Sequence, residues 1–322
     1  FNQLFLAFLT IATFITCTST AKQRPEGGWL WKISGNGLSH PSYLFGTYHG
    51  TYDILYQYTD SIPELHQAFN ACSQFAGESE TTSKPTPAQV GAAIKLPKDT
   101  TYADLLNKED FHFLDSIVRQ SLKSPLNKMY IKPNFLALIL GEIEKGKKLV
   151  DTGYSQSRID SMKSQVMDIA LEKKAKEKGL TIVGLEDIFD AFVSEKSNLK
   201  KEADELISDL REDDEISPLS FVNTLSDVYR TQNMKSLIDF EVKVDSIFRT
   251  SPKLTEIGKR IREDLLKRRN LNWMNKIPEL MKAQPTFIAV GVRHLPGKDG
   301  LIALLLEKGY QVEPIRSEER RV

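Results

Sequence analysis

Residues 43–50 read YLFGTYHG, and residues 287–297 read FIAVGVRHLPG. Each is a short apolar run that meets a glycine, Gly46 or Gly291, and carries a histidine three residues further on, His49 or His294. Such a run, without regular polar alternation, is the pattern of a strand buried on both faces, which belongs in a sheet covered by helices. Glycine at its end permits a tight turn or a close backbone approach. The chain has five histidines, and two of them share this local frame.

Two more apolar runs end alike. FAG leads to Glu78 and TIVGL leads to Glu186. In open α/β sheets, ligands gather outside the carboxyl ends of the strands. If the four strands are neighbours, two imidazoles and two carboxylates converge on one crevice. Two histidines and a carboxylate form a common divalent-metal set with room for water or substrate. Glu78 after a buried strand needs a partner, because an isolated buried carboxylate is costly. Glu80, two residues on, is a rival ligand, and Glu186 has the alternative of capping a helix. His40 falls in a predicted turn and His66 and His112 in predicted helices, where surface or core roles suffice.

GGWLWKIS and PSYLFGT flank the turn-rich GNGLSH and predict a hairpin. Helical spacing is predicted over 51–69 with Pro63 as an interruption, over 102–122 and 133–145, and over 161–178 with a stop at Gly179. A short helix is expected at 88–94 within a Thr/Pro/Lys-rich loop. Residues 187–210 read as mostly helical, and 220–248 and 253–282 continue the helical part. Strands are expected at 71–76, LTIVGLE, 287–290 and YQVEPI, with a helix at 300–308. The expected fold class is α/β with α+β character. It has a mixed sheet, site residues at strand C-terminal ends, and a large helical insertion at about 187–282 in a single domain spanning 27–322. Within the helical part, RRNLNW (residues 268–273) groups two arginines with Asn270 and Trp273. One of the arginines can reach the crevice and bind a carboxylate or an oxyanion. The alternative is an exposed helix face, with Trp273 in the core.

Lys+Arg and Asp+Glu each number 43, so the chain carries no net charge and no electrostatic footprint for nucleic acid. Residues 1–15 are almost uncharged and mostly apolar, the length of a signal-peptide core and too short for a comfortable membrane span. The chain starts at Phe rather than Met, and its true beginning is expected to lie upstream. Residues 1–21 are therefore expected to be an export signal. Ser19-Thr20-Ala21 suits ordinary signal cleavage. Phe14-Ile15-Thr16-Cys17 resembles a loose bacterial lipobox, with Cys17 lipidated and holding the protein to a membrane. Either places the protein in an extracytoplasmic compartment, the periplasm or a cell-surface or outer-membrane lipoprotein pool. Cys72, in FNACSQFAG, reads as a small core residue.

LWKISG, SYLFGTYHG, the GLE after an AKEKG helix, RRN with its tryptophan, and VGVRHLPGKDGLIALLLEKGYQVEPI together resemble the TraB/PrgY/GumN family, which includes the Tiki proteases. The resemblance covers about residues 29–315. It implies a fold similar to erythromycin-esterase and ChaN-like proteins, and a metal-dependent protease using manganese or cobalt. Carried over residue by residue, it puts His49, His294 and Glu78 in the site and assigns the site arginine to Arg269. It places Glu186 in the equivalent middle position. The sequence departs from the family pattern at Gly50, at Val292-Arg293 and in DIFDAF after Glu186.

The expected function is an exported metal-dependent hydrolase, with a peptide or small-molecule substrate. His49, His294 and Glu78 hold the metal, Glu78 or Glu186 acts as base, and Arg269 stabilises the oxyanion. Mn²⁺ and Co²⁺ follow from the resemblance, and Zn²⁺ and Fe²⁺ remain open. No H-E-x-x-H helix is present, so this is not an ordinary zincin. The competing classes are a haem-, iron- or peptide-binding protein without turnover, and an esterase.

Overall fold

Gly35, Asn36 and Gly37 all have positive φ (77°, 47° and 79°), so the chain reverses within three residues. Glycine and asparagine are the residues that adopt this region with least strain. The reversal pairs β1 (Leu30–Ser34) antiparallel with β2 (Ser42–Thr47), Leu30 facing Phe45 and Ile33 facing Ser42. The expected hairpin is thus present in the computed structural model, which describes residues 27–48, 54, 56–80, 86–151, 153–163, 165–187, 198–211 and 218–315.

The remaining strands are β3 (Gln74–Gly77), β4 (Thr181–Gly184), β5 (Thr286–Gly291) and β6 (Gln311–Pro314). They form one six-stranded mixed sheet in the order β4-β3-β5-β2-β1-β6. β2, β5, β3 and β4 run parallel to one another, and β1 is antiparallel to both β2 and β6. The four strands singled out by their polar ends are therefore consecutive neighbours. Thr47 pairs with Gly291, and Gly77 with both Ala289 and Gly184, so all four chains leave the sheet at one edge. β3 and β5 are buried along their whole length, as their unbroken apolar runs require, whereas the outer strands β4 and β6 are half-exposed.

Helix boundaries follow local chemistry. Pro63 begins the Pro63–Asn70 helix rather than interrupting one, in keeping with proline's fit to the first turn. The stretch expected as one helix over 102–122 splits, because the Asn107 side chain accepts from Asp110 N (3.0 Å) and starts a new helix at Lys108. The stretch over 220–248 breaks at Gln232 (φ 47°) and restarts under an Asn233 cap. The 161–178 stretch divides into Gln156–Lys163 and Met167–Glu177. Residues 188–197 of the helix expected after Glu186 lie outside the described residues, as do residues 1–26. No helix among the described residues is long and apolar enough to cross a membrane.

The chain divides into two compact units. One is helical, built from Ser83–Asp160 and Phe189–Ser220 around a core that includes Leu114, Val118, Leu126, Leu136 and Leu206. The other contains the sheet and includes Ser161–Ile188 and Phe221–Val322. The helical stretch expected at about 187–282 is thus shared between them, its part from Phe221 onward belonging with the sheet.

Behind β2, the fully buried Tyr229 donates from its hydroxyl to Gly46 O (2.7 Å) and stacks on Trp29, whose Nε1 donates to Tyr229 O (2.9 Å). Gly46 has no room for a side chain: a Cβ there would lie 2.8 Å from Val292 Cγ2 and 2.9 Å from Val292 Cα. Gly146, inside the Pro133–Asp151 helix, has nothing within 4 Å of its Cβ position. Urea unfolding should show Gly46→Ala destabilising the sheet unit by about 1–3 kcal/mol. Gly146→Ala should stabilise the helical unit by about 0.5–1 kcal/mol.

Candidate functional site

The parallel pairing of β3 and β4 continues past both strands. Leu185 N donates to Gly77 O and Glu186 N to Glu78 O, each at 2.9 Å. Two carboxylates are thereby set side by side. Gly184 permits this approach, because a Cβ there would lie 2.9 Å from Glu80 N and 3.0 Å from Glu186 O. Glu78 also reaches the neighbouring strand, its Oε1 accepting from Gly291 N at 2.7 Å.

The balancing charge comes from Arg269 in the short Arg268–Trp273 helix. Its Nε donates to both Glu186 oxygens (2.9 and 3.2 Å), and its Nη2 donates to Glu78 Oε2 (2.6 Å) and to Glu186 Oε1. Nη1 faces His294 Nε2 (3.3 Å) and Leu265 O (3.4 Å), so all three nitrogens are engaged. Arg269 and Trp273 are four residues apart and share a helix face. The guanidinium lies 4.7 Å from the Trp273 ring centre, and Trp273 Nε1 donates to Glu186 Oε2 (3.1 Å).

A π-helix, Ile261–Lys267, precedes this helix. Such turns are uncommon and gather at functional sites. Here the π-helix joins two stretches with separate anchors. Upstream, Gly258 packs against Phe248, and in the first turn of the π-helix itself Arg262 pairs with the buried Asp245. Downstream, Arg269, Asn270 and Trp273 all face the strand ends.

His294 closes the cluster from a 3-10 turn, Val292–His294, directly after β5. Its Nδ1 lies 2.7 Å from Asn270 Oδ1. Asn270 Nδ2 donates to two carbonyls, His294 O (3.2 Å) and Asp299 O (2.8 Å), which fixes the amide orientation. Oδ1 must then accept, so the imidazole carries its proton on Nδ1 and presents the Nε2 lone pair to the cluster. Trp273 packs on the ring with centroids 4.5 Å apart.

Of the expected site residues, Glu78, Glu186, Arg269 and His294 therefore meet. His49 lies outside the described residues. Glu80 turns away to Lys176 (3.5 Å) on the surface. Arg269 is the buried member of its arginine pair. His66 faces Asp60 at the surface, and Cys72 is buried, its thiol pushed up to about 12 by burial, an inert state. Two contributions were not legible in sequence: Asn270 as the group that orients His294, and Trp273 as a donor to Glu186 as well as a core residue. A third is the buried pair of Arg293 and Glu241; burial lowers the Arg293 guanidinium to about 10 against the pull of Glu241.

No group of three or more His, Cys, Asp or Glu suited to a metal occurs among the described residues. Two donors do face one another, His294 Nε2 and Glu78 Oε1, 3.8 Å apart. Ligands bound to one ion at about 2.1 Å sit roughly 3–4 Å apart, so the spacing suits a shared divalent ion. Nε2 also faces Arg269 Nη1 (3.3 Å) and Oε1 accepts from Gly291 N (2.7 Å), so an ion would have to displace the guanidinium contact. A ligating histidine characteristically has its other nitrogen tied by a hydrogen bond, as Nδ1 is here.

The TraB/PrgY/gumN family model matches residues 29–314. No curated protein and no solved structure matches the chain.

One guanidinium stands between two buried carboxylates. Burial raises the Glu186 carboxyl above its ordinary range, and the charge and hydrogen bonds of Arg269 offset this only in part. An acid whose folded pKa exceeds its unfolded value stabilises the fold below the unfolded pKa and loses that contribution as pH rises through the folded one. Glu186→Gln removes the titration. Its stability relative to wild type should therefore increase as pH rises from about 4, the ordinary carboxylate range, measured as the difference in urea midpoints. A difference that stays flat or falls as pH rises above about 4 would contradict the raised carboxyl.

Proposed function

The chain belongs to the TraB/PrgY/gumN family, and on that premise we propose that it is an exported, metal-dependent hydrolase that acts on peptides. The observation that carries this reading is the meeting of His294, Glu78, Glu186 and Arg269 at the shared C-terminal edge of parallel strands. That edge is where α/β sheets place their ligands. In this proposal His49, His294 and Glu78 hold a divalent ion, Mn²⁺ or Co²⁺ by family resemblance. Such an ion supplies a water acidic enough to yield hydroxide near neutrality.

The other residues have separable tasks. Glu186 takes the proton, since burial raises its carboxyl and so increases its proton affinity, the direction that favours a base. Asn270 keeps the His294 lone pair directed inward. Arg269 holds both carboxylates, and its Nη1 hydrogens, its most weakly held at 3.3 and 3.4 Å, turn to the substrate oxygen as negative charge develops. Trp273 closes one wall against water. Export rests on the apolar residues 1–15, with Cys17 as the candidate lipid anchor. Mature protein purified from cells should then begin at Cys17 or near Lys22; N-terminal sequencing that finds Phe1 retained on a soluble cytoplasmic protein would remove the export reading.

A peptide library incubated with the protein should be cleaved in the presence of Mn²⁺ or Co²⁺ and spared after chelation. His294→Ala should abolish cleavage, and Glu186→Gln should lower kcat by about 10²–10⁴-fold while leaving the protein folded. Ester substrates in the same assay test the esterase alternative. Absence of turnover under every metal, together with a Soret band on haem addition, would replace the hydrolase with a binding protein.

A further inference from the structure

Arg293 is fully buried, yet it lies between the two residues that fix the end of β5. Its Nε and Nη2 donate to the two carboxylate oxygens of Glu241 in a two-pronged pair. Glu241 is itself buried on the Met234–Phe248 helix, with Leu237, Ile238 and Val244 around the same inward face. A 3-10 turn has three residues per turn, so Val292, Arg293 and His294 point in three directions about 120° apart. Each meets a different element. Val292 packs on Gly46 of β2, Arg293 grips the Met234–Phe248 helix, and His294 bonds to Asn270 on the Arg268–Trp273 helix.

An apolar side chain at position 293 would also fill the space, but apolar contact is non-directional and lets a turn rotate. A planar guanidinium on a carboxylate fixes orientation through two parallel hydrogen bonds. A buried ion pair adds little net stability over an apolar pair of similar volume, so its contribution is sought in geometry. We propose that Arg293 and Glu241 are positioning residues that set the rotation of the Val292–His294 turn, and with it the direction of the His294 Nε2 lone pair. The inference rests on the reading of His294 Nε2 as the working atom of the site. Arg293 and Glu241 act only through the turn.

The test replaces both charges together, as Arg293→Met with Glu241→Leu, and reads the full chain in three ways. Thermal unfolding should show a midpoint at or above wild type. Nitrogen-detected NMR of the metal-free protein should show the His294 imidazole changing from one Nδ1–H tautomer with slow proton exchange to a mixture with faster exchange. Peptide cleavage with Mn²⁺ should lose roughly 10–100-fold in kcat with KM unchanged, the range for groups that orient a functional histidine. A single, slowly exchanging Nδ1–H tautomer retained in the double variant would overturn the proposal. Arg293→Lys keeps the charge but not the fork, and carries the same two imidazole outcomes if the double variant does not fold. The imidazole signal needs no turnover, so an inactive wild type would count against the hydrolase reading while leaving this one to its own result.

Discussion

The structure around the strand ends depends on one electrostatic constraint: two carboxylates leave adjacent parallel strands side by side, out of water, and need a cation between them. Backbone pairing beyond β3 and β4 makes Glu78 and Glu186 neighbours whatever their side chains prefer. Ionised carboxylates in such a place cost several kcal/mol each unless paired. Arg269 reaches both, is almost wholly buried, and is held well above even arginine's ordinary basicity by the two acids although burial opposes this. Removing Arg269 would leave both carboxylates uncompensated, at a cost of about 3–5 kcal/mol.

That constraint shapes the helices as well. Arg269 must face the sheet edge while the turn before it stays fixed by Gly258 against Phe248 and by Thr255 Oγ1 on Phe248 O (2.9 Å). An α-helix advances 100° per residue and offers no freedom to rotate one end against the other. The π-helix Ile261–Lys267 absorbs the mismatch, and Leu265 O is met by Arg269 itself. A packing requirement and an electrostatic one are thus reconciled within seven residues.

Much of the sheet was legible because buried strands and their glycines are local signals. The runs before Glu78, Glu186 and His294 are strands, in one parallel set, and the hairpin at Gly35–Gly37 is where its turn residues put it. The helix breaks at Asn107 and Gln232 were harder, since one capping side chain or one left-handed residue overrides a continuing apolar period. The division into two units was not legible, because which helices share a core depends on contacts between Ser83–Asp160 and Phe189–Ser220 that no local pattern reports. In the site, ionisable residues stood out by type and position. Asn270 and Trp273 were visible in RRNLNW but their roles were not: an amide and an indole acquire their roles only from what lies 2.7–3.1 Å away. Glu241 is 52 residues from Arg293, a separation no motif spans. His49, the first half of the repeated histidine frame, lies outside the described residues.

The remaining choice is between a site and a well-satisfied core. A core histidine at position 294 would need only hydrogen-bond partners, and backbone carbonyls would serve. Instead its Nδ1 is tied to an amide that is itself oriented by two carbonyls, and its Nε2 faces a guanidinium that requires two acids of its own. Leucine or methionine in place of these groups would fill similar volume without desolvating four charged or polar side chains, and such replacements are often neutral or stabilising. Packing alone therefore gives no reason for the cluster. The proposed hydrolase would give one: a lone pair of fixed direction, a carboxylate with raised proton affinity and a cation beside them are parts that hydrolysis at a polarised carbonyl would use. Local violations of the apolar-core rule of this kind are expected where a fold carries its function.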